Sequence, residues 1–484
     1  MTPAEYKRYD ATALADLVRR KEVSAFEILD ASIQAIEGDN PRLGAVVQKF
    51  YDRGRQEIQR GLPDGPFTGV PFLLKDTVTA LAGTTLSAGR YLQGVLSTRD
   101  SSLVRRYKAA GLVVIGKTNI PELSLSFTTE PAAGPITRNP WDETRSAGGS
   151  CGGSAVAVTA GFVPIAHGTD GAGSLRVPAA HCGAFGFKPS RIRTPLGPDV
   201  AEGLAGMSCA HCISRSVRDS AILLDTTTGE DIGDPYAVPG PQRSFARELD
   251  SPPPRLRIAL STRSPTDSHV DSRVQMAVTK VAALCEGLGH AVTETDPDYD
   301  GEALKAAWRI VGGVAAAAAV RSSALPDSRG RLEAVNAAWI EQAERHSACD
   351  YVQAVSELHR VGRSLGRFFA DFDVLLTPTT AEPPPPLGRL AGRSADVSAF
   401  YDDFWAHAPF TAAFNASGGP AMSMPLGWTS EGLPIGAHFG SRLGSDGLLY
   451  ALAGQLERAA PWIHRYSFSD AAVHAAARIQ SGGE

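Results

Sequence analysis

Apolar residues recur at helical spacing near the start of the chain, at Leu14, Leu17 and Val18 and then at Phe26, Leu29, Ile33 and Ile36. This spacing predicts two helices over residues 11–37. The pattern then changes. TGVPFLLK (68–75) is a short apolar run that ends on a lysine, as a buried strand would. Residues 101–111 return to helical spacing, and 112–115 form a second short apolar run. Strand, helix, strand in this rhythm predicts an α/β sheet with helices on its faces. Further on, 155–161 reads as a small helix of Ala and Val, 163–167 as a strand, and 177–187 as a helix followed by a strand. Residues 231–255, which include SPPP at 251–254, are proline-rich and polar and read as a surface connection. A second α/β stretch follows, with strands over 256–261, 291–294 and 372–376 and helices over 271–288 and 303–319. TPTTAEPPPP then reads as a rigid loop. PAMSMPLG and GLPIGAHFG predict two short paired strands, and 448–456 begins a closing helix. No internal repeat is evident.

The chain has 484 residues, 43% hydrophobic and 20% charged, in the range of a globular protein. That length corresponds to about three average domains, although large α/β enzymes exceed the average as one unit. A net charge of −5 gives no basic footprint for nucleic acid. The polar N-terminus lacks the apolar core of a signal peptide. No run of about 18 apolar residues predicts a membrane span. A cytoplasmic protein without a membrane partner is the expectation. The cysteines Cys151, Cys182, Cys209, Cys212, Cys285 and Cys349 are few and scattered, as in a reducing compartment. Cys209 and Cys212 form a CxxC with no second ligand pair, so they read as small core residues. No metal-ligand cluster of suitable spacing appears, and no cofactor is expected.

One stretch departs from this ordinary background. Residues 148–176 read GGSCGGSAVAVTAGFVPIAHGTDGAGSLR. Glycines surround Ser150 and Ser174, and glycine admits backbone shapes in which several N–H groups converge on one point. A single glycine-rich turn is ordinarily only a turn; two of them around a small-residue helix suggest a nucleophile beside an oxyanion hole. GGSCG fits the nucleophile elbow G-x-S-x-G, but that motif needs a buried strand before the serine. NPWDETRSA is polar and contains proline, so it cannot be a central strand. Ser174 has the better setting, because VPIAH leads into GTDGAGS and Gly171, Ala172 and Gly173 can present successive N–H groups beside it. Neither phosphate-loop pattern is present. A base is also needed. His167 and His181 lie nearest in sequence. Lys75 is the alternative, because burial at a strand end favours a neutral amine.

These pieces together resemble the amidase signature hydrolases. GVPFLLKD (69–76), GGSCGGS (148–154) and DGAGSLRVP (170–178) match that family's three-part pattern, and TTEPAAGPITRNPWD, HCGAFGFKPS, NASGGPAMSMPLG and GLPIGAHF extend the match. The resemblance covers most of the chain and is weakest over 235–400. It implies an α/β fold with a mixed central sheet flanked by helices on both faces, in a single domain over 1–484. Within that domain it implies a catalytic core over 60–215 and a variable substrate side over 235–400. By position, Ser174 would be the acylated nucleophile, Ser150 the bridging serine after a cis peptide, and Lys75 the base. The N–H groups of Gly171, Ala172, Gly173 and Ser174 would form the oxyanion hole. Asp170 and Arg176 would brace the loops. Ser124 and Thr129 fall where the family lines its acyl pocket, and Phe127 is expected to shape it. Cys151 replaces the usual second serine, and Ala172 stands where glycine is common. The implied substrate is a small non-peptide amide: a cyclic amide, an anilide or a carbamate. A urethane or ester hydrolase shares the same chemistry, and a glutamine-hydrolysing amidotransferase A subunit, which needs a partner chain, is the other class. A homodimer is compatible with the family.

Overall fold

The computed structural model describes residues 1–466 apart from 78, 88–90, 93, 324, 326 and 328. Its framework is a sheet of eleven strands: β1 (Val46–Lys49), β2 (Pro71–Lys75), β3 (Val113–Thr118), β4 (Ile165–Asp170), β5 (Phe185–Lys188), β6 (Cys209–Ser214), β7 (Arg257–Leu260), β8 (Ala291–Glu294), β9 (Val374–Pro378), β10 (Ala421–Trp428) and β11 (Pro434–Gly440). Their spatial order is β1-β3-β2-β4-β6-β5-β10-β11-β9-β7-β8. Two parallel groups, β3-β2-β4 and β9-β7-β8, are joined through antiparallel strands, so the sheet is mixed as expected.

Alternation along the strands explains why both faces carry helices. Leu73, Val113 and Ile115 face a core completed by Leu29 and Ile36 of the Ala25–Leu43 helix and by Ala155 and Val156 of the Gly152–Thr159 helix. Phe72, Leu74 and Val114 point the other way, onto Leu14, Val104, Tyr107 and Leu223. In the second half, Ile258, Leu376 and Met422 face Val278, Leu449 and Leu452. Ala259, Leu375 and Ala421 face Trp308, Leu358 and Phe414. A strand buried on both faces reads as a continuous apolar run, which is why PFLLK gives no period-2 signal.

The strands and helices read from the sequence lie within a few residues of the observed ones, but several elements were not read at all, among them Val46–Lys49, Tyr51–Arg60, Val217–Thr227, Ala334–Ala343 and Val397–His407. β6 was not expected either: Cys209 and Cys212 read as core residues, which they are, but no strand was read around them. In the sheet Cys209 and Cys212 are three apart on an extended strand, on opposite faces, and both thiols are free and buried. The 24-residue Ala348–Asp371 helix, opened by a Ser347–Asp350 capping box, was also missed. Finally, the alanine-rich helix runs over Gly301–Arg321 and is long and apolar enough to cross a membrane by composition, although Lys305 and Arg309 interrupt its apolar run. Its apolar face, Leu304, Ala307, Trp308 and Val311, is buried in the core cluster against Leu358 and Phe404.

Packing of the N-terminal segment yields a pH-dependent expectation. The Asp219 carboxylate accepts from the N–H groups of Ala11 (2.8 Å) and Thr12 (2.9 Å) and from the Thr12 hydroxyl (2.7 Å). Glu457 accepts from Val217 N–H at 3.0 Å. Burial, and then the Asp10 charge, push the Glu457 carboxyl up to about 7. Its unfolded value is about 4.3. Stability from this group is therefore full below the unfolded value and is lost as pH rises through about 7. Glu457→Gln keeps an acceptor for Val217 and removes the ionisation. Thermal melts are expected to show the variant gaining on wild type between about pH 5 and 8, by of order 1–3 kcal/mol; a constant difference across that range would contradict this.

Candidate active site

β2 and β4 are parallel neighbours, so their carboxyl ends open on the same edge of the sheet, where α/β folds gather their chemistry. Lys75 is the last residue of β2. Its side chain is fully buried, and its Nζ lies 2.6 Å from Ser150 Oγ and 2.7 Å from Thr169 Oγ1. Period-2 alternation puts His167 and Thr169 of β4 on the same side. His167 Nδ1 accepts the Lys75 backbone N–H at 3.2 Å, so the ring fixes the strand end. Burial, and then the Lys75 charge, hold His167 down at about 3, which keeps it neutral. The structure thus gives His167 a bracing place rather than a free one.

Ser150 follows a cis Gly149–Ser150 peptide. Gly149 has no room for a side chain: a Cβ there would fall 2.4 Å from the Ser126 carbonyl oxygen. Thr129, expected in an acyl pocket, is fully buried behind this loop. Its hydroxyl donates to Gly148 C=O (2.8 Å) and accepts from Gly152 N–H (3.2 Å). Cys151 closes the loop onto β4 by donating to Thr169 C=O at 3.2 Å and accepting Thr169 N–H at 3.3 Å. Cys151 N–H also donates to Ser174 C=O at 3.3 Å, which joins the two glycine loops.

The second loop leaves β4 after Asp170. Gly171 C=O accepts Trp308 Nε1–H at 3.2 Å, Ala172 C=O accepts the Thr411 hydroxyl, and Gly173 C=O accepts Val177 N–H at 2.8 Å. In a trans peptide the C=O and the following N–H point in opposite directions. Pinning these carbonyls therefore turns the N–H groups of Ala172, Gly173 and Ser174 the other way. Among the described residues those three N–H groups donate to no protein acceptor. Gly173 sits at φ +143°, with Thr411 Oγ1 2.5 Å from any Cβ, so only glycine fits there. Ser174 keeps 8% of its surface exposed while Lys75 and Ser150 keep none, so of the three it is the one a ligand reaches.

Asp170 and Arg176 hold this loop from behind. The guanidinium makes a bidentate pair with the carboxylate, at 3.0 and 2.8 Å, with both residues fully buried. It also donates to Thr411 C=O (2.8 Å) and Asn415 Oδ1 (2.6 Å). Burial alone would raise the Asp170 carboxyl; the Arg176 charge and hydrogen bonds reverse this and hold it well below the usual carboxylate range.

Phe127 stacks on Phe404 with ring centroids 3.9 Å apart, in the apolar cluster that includes Ala172 and Trp308. Ser124 lies at φ +61°, and its buried hydroxyl has no hydrogen-bond partner among the described residues. His181 is fully buried and contacts His407 instead of either serine. Sequence reasoning missed Thr169, Trp308, Thr411 and Asn415. Thr169 was discoverable by alternation from His167; the others come from chain more than 130 residues away and carry no local signal. A cavity of about 1060 Å³ lies at the 236–254 connection, lined by Arg193, Phe245 and Leu448, and contains none of Lys75, Ser150 and Ser174. Among the described residues no group of three metal-ligating side chains gathers.

Comparison with known proteins identifies the family of the chain. Residues 27–450 match the family model described as Amidase. A 6-aminohexanoate-cyclic-dimer hydrolase of Paenarthrobacter ureafaciens is 37% identical over 473 residues, covering 94% of this chain and 96% of that protein. The solved structure of a 6-aminohexanoate cyclic dimer hydrolase complexed with substrate superposes with a TM-score of 0.89 at 34% identity, covering 96% of this chain and 99% of the other. A bacterial aryl acylamidase of the amidase signature enzymes gives 0.86 at 28% identity, covering 95% and 98%. A match spanning most of the chain, at this identity, means that the chain belongs to the amidase signature family of amide hydrolases.

Proposed function

We propose that this enzyme cleaves small non-peptide amides through an acyl-enzyme on Ser174. The observation that carries the reading is the 2.6 Å contact between the Lys75 amine and the Ser150 hydroxyl, beside a turn whose N–H groups are unclaimed. Neutral Lys75 takes the Ser150 proton as Ser150 takes the proton of Ser174. The Ser174 oxygen then attacks the amide carbon. The N–H groups of Ala172, Gly173 and Ser174 receive the oxyanion, each donor being worth about 10²–10³ in rate. As the tetrahedral adduct collapses, the C–N bond breaks and the proton returns through Ser150 to the leaving amine. Water repeats the sequence on the ester, releasing acid and restoring Ser174. Thr169 holds the Lys75 amine against Ser150 throughout.

The stacked Phe127–Phe404 wall beside Ala172 favours an apolar acyl group. Cyclic amides, anilides and aryl carbamates fit that preference, and the names of the relatives point the same way. The test is a substrate panel: the 6-aminohexanoate cyclic dimer, an acyl anilide, an aryl carbamate, a simple aryl ester and glutamine. Turnover of the cyclic amide or anilide with kcat/KM at least about tenfold above glutamine is expected. Glutamine hydrolysis alone, dependent on an added partner chain, would replace this reading with the amidotransferase one.

A further inference from the structure

The cavity of about 1060 Å³ at the 236–254 connection takes no part in the chemistry above. Four arginines line it, Arg191, Arg193, Arg243 and Arg442, against two carboxylates, Glu202 and Glu248. Two of the four are committed. Arg193 is buried, pairs with Asp446 at 3.0 Å and donates to Pro239 C=O at 2.7 Å. Arg243 donates to Ser251 Oγ at 3.0 Å and lies 4.0 Å from Glu248. The other two form no ion pair among the described residues. Arg191 is half-buried. Its Nε donates to Gly206 C=O at 2.7 Å and its Nη2 to the carbonyls of Asn415 (3.0 Å) and Ala416 (2.7 Å), while among the described residues its Nη1 has no acceptor. Arg442 is exposed on the loop after β11; Asp373, the carboxylate that feels its charge, is held by Arg257 at 2.9 Å.

These two arginines stand beside one glycine pair: a Cβ on Gly418 would come within 3.2 Å of Arg191 Cζ, and one on Gly419 within 3.6 Å of the Arg442 carbonyl carbon. The rest of the lining is largely apolar. Phe245 and Leu448 belong to the core packing beneath, residues 252–254 are prolines, and Tyr236 and Leu443 keep 59% and 54% of their surface exposed. Apolar surface beside a few unclaimed polar groups is how small-molecule sites are built. The lining also selects the ligand. A guanidinium offers a planar fork that matches a carboxylate. A bare inorganic anion would leave the apolar wall facing water. A dianion would be opposed by Glu202, whose Oε2 lies 3.4 Å from a Cβ built on Gly206, the same point from which Arg191 Nε lies at 3.2 Å.

We propose that this cavity is a second binding site, for a monocarboxylate with an apolar body: the carboxylate on Arg191 Nη1 and Arg442, the body on Phe245, Leu448 and Tyr236. None of Lys75, Ser150 and Ser174 lines it, so the site is distinct from the catalytic one. An amide hydrolase releases a carboxylic acid at every turnover, so ligands of this class form at the enzyme itself. Neither the site nor its test depends on which serine is attacked.

The test is calorimetric titration of the full-length enzyme with 4-phenylbutyrate at low salt, where screening is least. Saturable binding with Kd below about 1 mM is expected. Two analogues of the probe are expected to bind about tenfold weaker or worse: 4-phenylbutan-1-ol, which lacks the charge, and butyrate, which lacks the ring. Arg442→Glu reverses an exposed charge and Tyr236→Ala removes an exposed ring, so neither disturbs the core. Each is expected to weaken 4-phenylbutyrate about fivefold or more. Unchanged affinity in either variant would place the acid elsewhere and overturn the proposal. Equal binding of either analogue, or no saturation by about 10 mM, would do the same. If wild type takes up no acid and Tyr236→Ala instead turns a dimer into a monomer on size exclusion, the cavity is a subunit contact and the proposal falls.

Discussion

Ser174→Ala is expected to lower kcat/KM for any amide substrate by about 10⁴-fold or more, with the fold intact. The hydroxyl keeps its small exposed surface at the end of a loop whose shape is set by other atoms. Its neighbours' carbonyls are pinned by Trp308, Thr411 and Val177, and its helix is anchored by the Asp170–Arg176 pair. Removing one oxygen there leaves every one of those bonds in place. Two measurements check this: steady-state turnover, and mass spectrometry of enzyme mixed with a slow carbamate, which should show a covalent adduct at Ser174 in wild type and none in the variant. Activity above about a tenth of wild type would reject Ser174 as the nucleophile.

Lys75→Met carries the second large effect. The substitution keeps the volume of a fully buried side chain and removes the only nitrogen that contacts Ser150 Oγ at hydrogen-bond distance among the described residues. A positioned base contributes about 10²–10⁴-fold, so a loss of at least 10²-fold in kcat is expected. The pH profile separates the base from a merely structural lysine. A protonated amine cannot accept the Ser150 proton, so wild-type activity is expected to climb from about pH 5 to 9, and the residual activity of the variant should lose that slope. A wild-type profile that stays flat over this range would exclude the lysine as base, and a variant that keeps the wild-type slope would assign it to another group. His167 is a poor substitute, since its Nδ1 is committed to the backbone N–H of Lys75.

Much of this protein was legible in one dimension because the relevant physics is local. An apolar run closed by Lys75 is a buried strand whatever surrounds it, and glycines at 148–153 and 171–173 mark backbone that side chains cannot enter. The three short motifs sufficed to name Lys75, Ser150 and Ser174 as a set. What the chain could not reveal by itself depends on residues distant in sequence. The orientation of the Gly171–Ser174 turn is set by Trp308 and Thr411, more than 130 positions downstream. The bonds of the Thr129 hydroxyl to Gly148 and Gly152 likewise appear only in the fold. Cys209 and Cys212 read as small core residues, and they are, but only pairing with β4 and β5 makes CAHCIS a central strand. Arg191, Tyr236 and Arg442 reach one cavity from three segments with no common pattern, because a binding site is assembled by distance in space and composition records only order along the backbone.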